Sequence, residues 1–474
     1  MRSLVWFRSD LRASDNAALH AASLASDRGI VGVFLMSPPQ WLEHDWAACR
    51  VDLMMRCVRE LSLQLAALNI PLLIARAGRF SDAPKVLVDL ARKHECGAVF
   101  YNREYEINES RRDESFAGAA TKAGIAVHSC HDQTIFDPSS IRTGQGTFYT
   151  VFTPFKKAWL KRASEAGCIR PLAGPKKQPV MDIKSDEVPR DVPGFHSAIP
   201  PTLWPAGEVH AQLRLRRFVQ KHLEEYHLQR NTLATDGTSA LSPYLALGAI
   251  SPRQCIAAAA QANRGSLDVP QASGPSTWIS EIIWREFYRH VLVGFPRVCM
   301  HRPFKIATEN IRWIDDCKMF EAWCEGRTGY PIVDAGMRQL RGTGWMHNRA
   351  RMITAMFLTK DLFIDWRRGE RFFMQHLVDG DLANNNGGWQ WSASTGTDSA
   401  PYFRIFNPAS QSRANDPDGA YIRRYVPELA SLDAKAIHDP PPLLRKSLGY
   451  PMPLVDHAAA RERVMQSFKT MGRG

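Results

Sequence analysis

Short apolar runs alternate with longer helical patterns over the first 130 residues of the chain. The runs are separated by segments such as 49–68 and 83–94, which have helical periodicity. This alternation predicts βαβ units in a doubly wound parallel sheet, whose ligands bind beyond the carboxyl ends of the strands. No GxGxxG motif follows the first run, which disfavours a dinucleotide at that place. The apolar runs lie at 4–7, 30–35, 71–74, 98–101 and 125–127.

The pattern changes after residue 130. Between 131 and 205 prolines are frequent and only 152–160 has a helical period, so this part is predicted to be a linker that lies over the surface or is partly mobile. From 206 onward helical patterns dominate and strand-like runs are rare, which predicts a compact all-α domain. The predicted organisation is an N-terminal α/β domain at 1–130, a linker at 131–205 and a C-terminal helical domain at 206–474.

The composition of the 474 residues fits a globular protein with more than one domain. No apolar run reaches the roughly 20 residues that span a bilayer, and the N-terminus lacks a signal-peptide pattern, so we expect a cytoplasmic protein with no membrane partner. The nine cysteines have neither CxxC nor zinc-type spacing, which predicts free thiols and no metal site. A formal net charge of +12 makes nucleic acid the first candidate among polyanionic partners, although many basic proteins bind none.

The stretch 379–408 combines glycines, three consecutive asparagines at 384–386 and two large aromatic side chains, Trp389 and Trp391. It has no apolar period long enough for an amphipathic helix, so a loop is predicted. Glycine backbones, amide groups and indole faces together suit a flat aromatic ligand with polar edges. A long connector with two core tryptophans is an equally good interpretation of this stretch by itself.

A predicted helix at 278–290 places Trp278, Glu281, Trp284 and Arg285 on one face. A carboxylate between two indoles lies in apolar surroundings, which raise its pKa and suit a proton donor or a hydrogen-bond partner for a neutral carbonyl. The alternative is a Glu281–Arg285 surface ion pair beside core aromatic residues, and helix pairing alone favours this alternative.

Three hydroxyl side chains lie beside another predicted helix start, at Thr238, Ser239 and Ser242. They suit a phosphate group, although hydroxyls more commonly cap a helix without any ligand. In a further predicted helix, Asn348 and Met352 are four residues apart and share a face.

Arginines suited to DNA phosphates, at Arg230, Arg349 and Arg404, occur together with the tryptophans Trp284 and Trp391. Basic and aromatic side chains are expected in combination where a base is unstacked from a duplex and held against aromatic rings. A solvated charged surface is the alternative for each arginine by itself.

These motifs together resemble the DNA photolyase/cryptochrome family, and the resemblance runs from LVWFRSDLR (4–12) to YIRRYVPEL (421–429). The chain is most similar to the bacterial class I cyclobutane pyrimidine dimer photolyases. The resemblance implies a protein that binds FAD and repairs these dimers in DNA with light, by electron transfer from reduced FAD to a dimer flipped out of the duplex. The sequence gives no sign of oligomer contacts, so a monomer is the default expectation. A cryptochrome-type blue-light photoreceptor that signals through flavin photoreduction is the alternative.

The resemblance also assigns residues to the cofactor. Asn385 is expected to face the flavin N5 atom, where an amide can donate or accept a hydrogen bond without carrying charge. Trp389, Trp366 and Trp313 are expected to form a relay that carries electrons from the surface to photoexcited flavin. The residues expected to bind FAD are Tyr226, Thr238, Ser239, Ala240, Leu241, Ser242, Trp278, Asn348, Arg351, Asp379, Gly380, Asp381 and Asn385.

A lesion site is implied in the same way. Glu281 is expected to hydrogen-bond the pyrimidine carbonyls and to stabilise the radical anion of the dimer. The (6-4) photolyases of the family have histidines where this chain has Asn348 and Met352, which favours the cyclobutane lesion. The residues expected to contact DNA or the lesion are Arg230, Glu281, Trp284, Arg285, Asn348, Arg349, Met352, Trp391 and Arg404.

An antenna pigment is expected in the N-terminal domain. His44, Asn108 and Glu109 match positions that bind methenyltetrahydrofolate in folate-using members, whereas Met300 stands where those members have a lysine near the glutamate tail of the pigment. We therefore expect 5,10-methenyltetrahydrofolate with weakened retention, and a deazaflavin antenna or none remains open. A second departure is Arg230-Asn-Thr-Leu233, where family members commonly have Arg-Asp-x-Pro.

Overall fold

The computed structural model describes residues 1–165, 169–268 and 273–471. The cysteines in these ranges are free thiols, as predicted, and Cys168 lies outside them. No helix in the described part of the chain combines the length and the apolar character needed to cross a bilayer.

The described chain forms two compact units that interleave along the sequence. Each unit therefore draws on several separate segments, and the domain boundaries predicted at 130 and 205 stay predictions. The first unit contains Met1–His227, Thr238–Pro296 and Val378–Asp381, and the second contains Leu228–Gly237, Arg297–Leu377 and the residues from Leu382 onward.

The first unit is organised around a five-stranded parallel sheet. Its strands are β1 (Arg2–Phe7), β2 (Ile30–Met36), β3 (Leu72–Arg76), β4 (Cys96–Asn102) and β5 (Ala126–Cys130). The strand order is β3-β2-β1-β4-β5, which confirms the predicted doubly wound sheet. Leu4 in the central strand pairs with Val31 on one side and with Val99 on the other. The central strands are almost entirely apolar because elements on both faces bury a parallel sheet.

Helices connect and cover these strands. Trp6 of β1 packs edge-on against Tyr101 and Phe116, with 5.7 Å between ring centres in each pair, at the centre of one apolar core. The helices that begin in the first unit are α1 (Ala17–Ala25), α2 (Pro38–Glu43), α3 (Ala48–Ala67), α4 (Ala83–Lys93), α5 (Ile107–Lys122), α6 (Phe152–Glu165), α7 (Glu208–Lys221), α8 (Tyr226–Gln229), α9 (Ser242–Ala246), α10 (Pro252–Ala262) and α11 (Gly274–Gly294).

Part of the segment predicted to be a linker is helical and anchored. Trp159 of α6 is buried, and its indole N–H donates to Glu286 of α11 over 2.9 Å. The same carboxylate accepts hydrogen bonds from the backbone amides of Ile135 (2.8 Å) and Phe136 (3.1 Å). A buried carboxylate with three donors fixes this part of the segment to α11.

The second unit is helical, as predicted. Its core contains the large side chains of Trp323, Trp366 and Trp389 together with many leucines and isoleucines. A π-helical segment, Phe357–Asp361, follows α14 directly. The helices are α12 (Cys317–Glu325), α13 (Pro331–Thr343), α14 (Asn348–Met356), α15 (Trp366–Met374), α16 (Leu382–Ala393), α17 (Pro408–Asn415), α18 (Ala420–Tyr425), α19 (Pro442–Ser447) and α20 (His457–Met471).

The prediction of a loop over 379–408 was wrong for its first half, because Leu382–Ala393 forms α16. Asparagine and glycine are poor helix formers, and the segment has no apolar stripe, so the local sequence does not predict this helix. Side-chain amides stabilise it instead. Asn386 donates to the Glu370 carboxylate over 2.8 Å, and Gln390 donates to Asn386 over 2.8 Å. Tertiary hydrogen bonds therefore override the local preference of the sequence.

Candidate functional site

The three residues predicted for the antenna lie together in the first unit. Asn108 Nδ2 is 3.1 Å from His44 Nε2, and His44 Nδ1 is 3.4 Å from Glu109 Oε1. Burial lowers the pKa of His44, whereas burial, with Glu106 and Glu104 nearby, raises the pKa of Glu109 to about 8. Both shifts favour a neutral imidazole beside a protonated carboxyl group rather than an ion pair. This arrangement offers donors and acceptors to an uncharged heterocycle.

Two of the side chains predicted for FAD form an aromatic wall in the first unit. Trp278 of α11 is 2% exposed, and its ring centre lies 4.9 Å from that of Phe218. Phe218 in turn packs edge-on against Tyr226 at 5.7 Å. A rigid apolar wall of this kind suits the planar part of a large cofactor.

The segment 238–242 carries two of its hydroxyls, those of Thr238 and Ser239, before α9, and Ser242 is the first residue of that helix. The cap residue of α9 is Leu241, whose side chain makes no capping hydrogen bond, so the cap does not use Thr238 or Ser239. Ala240 has a φ of 44°, in the left-handed region that costs a residue with a Cβ about 1–2 kcal/mol. Backbone strain held by the surrounding fold is common where a chain shapes itself around a ligand.

The acidic residues at 379 and 381 belong to the first unit, where a buried arginine binds the second of them. Asp381 accepts a hydrogen bond from the buried Arg289 of α11, and Arg289 also donates to Gln133 over 3.2 Å. Asp379 is nearly buried. The segment Val378–Asp381 is therefore tied to α11, the helix that also carries Trp278.

The face of α11 predicted to contact the lesion is partly engaged by the protein itself. Trp284 stacks on Phe152, with ring centres 3.7 Å apart and planes 10° apart. Arg285 donates to the backbone oxygens of Gln133 and Leu245 rather than to a carboxylate, and burial lowers its pKa. The alternative of a Glu281–Arg285 surface ion pair stays a prediction. Glu281 itself is half-buried.

Asn385, predicted to face the flavin, has a fixed amide. Its Nδ2 donates to the backbone oxygen of Glu370 over 2.9 Å. The Glu370 carboxylate accepts from Asn386 and lies 2.9 Å from His301 Nδ1. One donor of the Asn385 amide is engaged in this way, and its carbonyl oxygen can act as a hydrogen-bond acceptor.

The predicted relay tryptophans all belong to the second unit and to one apolar core. Trp389 and Trp366 are 2% and 1% exposed, and Trp313 is half-buried and packs against the same core. Gly369 of α15, three residues after Trp366, presses against the Trp389 ring. Trp313 packs against Phe363 at 5.1 Å between ring centres. The set thus includes two buried indoles and one that reaches the surface.

Helix α14 carries several of the residues predicted for the lesion and the cofactor. Asn348 is exposed at its first position, and its amide nitrogen lies 3.9 Å from the Met352 sulfur, which confirms the shared face. Arg351 donates to the backbone oxygen of Met346 over 2.8 Å. The cap residue, His347, accepts from the Arg349 amide over 3.1 Å.

Three arginines predicted to bind DNA influence one another electrostatically in the second unit. Burial, followed by Arg230 and Arg404, lowers the pKa of Arg349, whose guanidinium donates to Asn231 over 2.7 Å. Burial and the nearby arginines lower the pKa of His347 to about 4, so this imidazole stays neutral at physiological pH. Positive charges placed near one another favour an anionic partner such as a phosphate backbone.

Sequence reasoning missed two residues that organise these groups. Glu370 holds the amides of Asn385 and Asn386, yet it precedes them by more than a dozen residues, a separation without local periodicity. Arg289 binds Asp381 across an even longer separation. Its position four residues after Arg285 on α11 was the only local signal.

The residues predicted for FAD divide between the units. Tyr226, the segment 238–242, Trp278 and the segment 379–381 belong to the first unit. Asn348, Arg351 and Asn385 belong to the second. Within each unit the residues fit a large planar cofactor with polar edges, through the aromatic wall in the first unit and the oriented amide in the second.

Two family models match the chain. The model described as DNA photolyase matches residues 3–176, and the model described as the FAD binding domain of DNA photolyase matches residues 278–470. A protein named deoxyribodipyrimidine photo-lyase from Salmonella typhimurium is 43% identical over 478 aligned residues, which cover 99% of each chain.

Two solved structures share the fold over almost the whole chain. A bacterial class III photolyase from Agrobacterium tumefaciens has a TM-score of 0.88 and 36% identity, and the match covers 100% of this chain and 98% of that one. A cryptochrome from Synechocystis has a TM-score of 0.87 and 28% identity, with coverage of 98% and 99%.

Proposed function

Since this chain belongs to the DNA photolyase family, we propose that it repairs cyclobutane pyrimidine dimers in DNA with light absorbed by bound, reduced FAD. The observation that carries the proposal is the composition of α14 and its surroundings. One helix presents Asn348 and Met352 as lesion contacts and Arg349 as part of a cationic group with Arg230 and Arg404. Phosphate-binding and base-contacting groups on one rigid element are what lesion recognition in DNA requires.

The chain contributes binding, orientation and electrostatics to a reaction whose electron comes from the cofactor. When bound, reduced FAD supplies an electron upon illumination and takes it back after the dimer has split. Trp278 and Tyr226 provide apolar contact area, and Thr238 and Ser239 provide hydroxyl donors for phosphate oxygens. Asn385, whose Nδ2 donates to the Glu370 backbone oxygen, accepts a hydrogen bond at the flavin edge through its carbonyl oxygen.

Lesion recognition follows from side chains whose environment the structure describes. Trp391 and Trp284 supply aromatic faces against which an unstacked base packs. Glu281, half-buried on α11, hydrogen-bonds a pyrimidine carbonyl and stabilises the charge that develops on the dimer. The arginines Arg230, Arg349 and Arg404 bind backbone phosphates, whereas Arg285, bound to backbone oxygens, supports α11 from within the first unit.

The relay tryptophans keep the cofactor in its working oxidation state. Electrons pass from an external reductant to Trp313 and then through Trp366 and Trp389. Two of these indoles are nearly inaccessible to water, so they do not react with solvent while they carry the charge. His44, Asn108 and Glu109 bind an antenna of the methenyltetrahydrofolate type. The working form is a cytoplasmic monomer.

The proposal is tested with Glu281→Gln, which keeps the size of the side chain but replaces the protonated carboxyl group, the donor to the pyrimidine carbonyl, with an amide that is a weaker donor and cannot give up a proton. Pre-reduced wild-type and variant proteins are illuminated with a thymine-dimer oligonucleotide, and restored thymines are counted per absorbed photon. We expect the variant to retain FAD and to lose most of its repair yield. Glu114→Gln, on the exposed side of α5, is the matched control and should repair like the wild type. Equal repair by the wild type and Glu281→Gln contradicts the role given to Glu281.

A second measurement separates repair from signalling. A cryptochrome-type receptor of this fold would photoreduce its flavin in a Trp366-dependent manner and leave the oligonucleotide unchanged. Repair that survives Trp366→Phe in pre-reduced protein, together with lost photoreduction, agrees with the photolyase proposal. Photoreduction without any repair by the wild type favours the receptor.

A further inference from the structure

Two ionisable side chains of the second unit are completely buried and have no role in the function proposed above. They are Lys360 and Asp361, at the end of the π-helical segment Phe357–Asp361, and each is 0% exposed. Single π-helical turns are rare and occur frequently at functional sites. Burying a charge without an opposite charge nearby costs free energy of folding, so a buried ionisable side chain of this kind suggests a functional role.

Lys360 has no carboxylate partner among the described residues. Its ammonium group donates to the Ser394 hydroxyl over 2.9 Å and to the backbone oxygen of Ala393 over 3.3 Å. It also lies 4.3 Å from the centre of the Phe468 ring. Asp361 binds another residue instead: its Oδ1 lies 2.5 Å from His457 Nδ1. Lys360 is therefore a buried amine held by neutral groups.

The charged groups on the neighbouring elements do not neutralise this amine. Helix α20 directs both His457 and Arg463 to Asp361, Arg463 through a 2.6 Å hydrogen bond to the Asp361 backbone oxygen. Lys305 adds a like charge nearby. Burial, followed by Lys305, lowers the pKa of Lys360 to about 7. The side chain thus changes its charge near neutral pH.

Aromatic packing connects Lys360 to the outer end of the relay. Phe468, which lies under the ammonium group, belongs to a small apolar cluster with Phe363, and Trp313 packs against that cluster. The Trp313 and Phe363 ring centres are 5.1 Å apart. Trp313 also packs against the larger core cluster, which contains the inner tryptophans Trp366 and Trp389. Lys360 is thus associated, through Phe468, with the cluster against which Trp313 packs.

We infer that the charge on Lys360 sets how long an oxidised Trp313 persists, and through it how efficiently the relay delivers electrons. This inference rests on the relay of the proposed function. When Trp313 gives one electron inward to photoexcited oxidised flavin, its indole keeps a positive charge until an external thiolate gives up an electron in replacement. A charged ammonium repels that positive charge and favours return of the electron, whereas a neutral amine does not.

The size of the effect follows from Coulomb's law. For two unit charges separated by roughly 10 Å in surroundings with an effective dielectric constant of about 20, the repulsion shifts the equilibrium between oxidised Trp313 and Trp313 that has regained its electron by about tenfold. We therefore expect the lifetime of oxidised Trp313 in the wild type to increase about tenfold as pH rises through the titration of Lys360. The increase should be centred near pH 7.

The experiment follows the tryptophan radical by flash photolysis in full-length protein that carries oxidised FAD, between pH 5.5 and 8.5. Lys360→Met, an apolar side chain of similar length, should give the long lifetime at every pH. Lys360→Arg, which keeps the charge, should give the short lifetime at every pH. Lys305→Met is the matched control, because it removes the neighbouring surface charge: the titration should persist, with its midpoint moved upward.

A readout without FAD accompanies these lifetimes. Since the folded-state pKa of Lys360 is lowered, the unfolded chain binds the extra proton between about pH 7 and 10.5, and stability rises with pH across that window. Urea unfolding of the apoprotein should show this rise in the wild type and lose part of it in Lys360→Met. The slope reports burial of the amine even if Lys360→Arg does not fold.

The outcomes distinguish the inference from the function on which it rests. If Lys360→Met keeps the pH dependence of the wild type, or shortens the lifetime, the role of Lys360 is overturned. If Trp366→Phe leaves photoreduction unchanged, the relay itself fails. If the radical behaves as expected but no dimer is split, the role of Lys360 stands and the repair function does not.

Discussion

Replacing Gly369 by alanine should destabilise the second unit, although alanine is the better helix former. Gly369 lies within α15, where a Cβ atom would be 2.5 Å from Cζ3 of Trp389 and 2.7 Å from Cδ2 of Leu358. Real Cβ atoms do not come so close to other carbons. Trp389 cannot move away easily, because it is 2% exposed and packs against Phe373 at 4.9 Å and Trp323 at 5.9 Å.

The magnitude follows from two opposing terms. Glycine to alanine in a helix interior favours folding by up to about 1 kcal/mol. Overpacking of a well-filled core costs about 1–3 kcal/mol and sometimes more, since side chains leave their preferred rotamers. Contacts this short place Gly369→Ala at or above the top of that range. We therefore expect a net loss of about 2 kcal/mol or more in the free energy of unfolding.

The assay is urea unfolding followed by tryptophan fluorescence, with flavin photoreduction measured on the folded protein. Gly342→Ala is the matched control, because it lies in α13 and a Cβ there meets nothing within 4 Å. The control should be as stable as the wild type or slightly more stable. Gly369→Ala should also slow photoreduction, because the displaced ring is a member of the relay. A Gly369→Ala protein as stable as Gly342→Ala refutes the packing argument.

Three further predictions concern pH, salt and lesion binding. Burial lowers the pKa of His290 to about 4, and its neutral ring accepts a hydrogen bond from the Tyr149 amide. The unfolded chain therefore binds more protons than the folded chain between pH 6.5 and 4, so the free energy of unfolding should fall by up to about 3 kcal/mol as pH drops through that window. Urea unfolding of His290→Gln should show a smaller fall. Arg349→Ala should weaken DNA binding about equally for all sequences and reduce the slope of log affinity against log salt concentration by about 1. An unchanged slope in fluorescence-anisotropy titrations would show that Arg349 makes no phosphate contact. Trp391→Ala should weaken binding of a dimer-containing oligonucleotide by about 1–3 kcal/mol, whereas equal affinity would make Trp391 a structural residue only.

Most secondary structure could be predicted from the sequence because its periodicity is strong. The helix predicted at 49–68 is observed at Ala48–Ala67, and the strand predicted at 30–35 is observed at Ile30–Met36. Both elements bury one complete face, or both faces, against a core. Burial of this kind leaves a regular apolar pattern, which a single sequence reveals.

Helix α16 shows why the rest could not be predicted. Its stability comes from partners that are distant in sequence, such as the Glu370 carboxylate bound by Asn386 and the Phe304 amide that donates to Gln390 over 2.7 Å. Polar contacts of this type leave no periodic trace. Arg289, the partner of Asp381, could not be predicted for the same reason: the two residues are distant in sequence. The family resemblance identified the residues of this region, but it could not provide their hydrogen bonds.

The antenna residues are an intermediate case. His44 and Glu109 are far apart in sequence, and no local pattern connects them, yet the resemblance named them together and the structure brings them to 3.4 Å. The electrostatics of the group could not be predicted, because the high pKa of Glu109 depends on burial and on Glu106 and Glu104. Which pigment binds there stays a prediction.

The most direct test of the account is repair of a defined lesion. Reduced protein is mixed with a double-stranded oligonucleotide that contains one thymine dimer, and half of the sample is illuminated with near-ultraviolet or blue light while the other half stays dark. We predict that the two thymines are restored only in the illuminated half, in amounts that exceed the enzyme. Protein that carries photoreducible FAD yet leaves the dimer intact in the light would contradict the central claim.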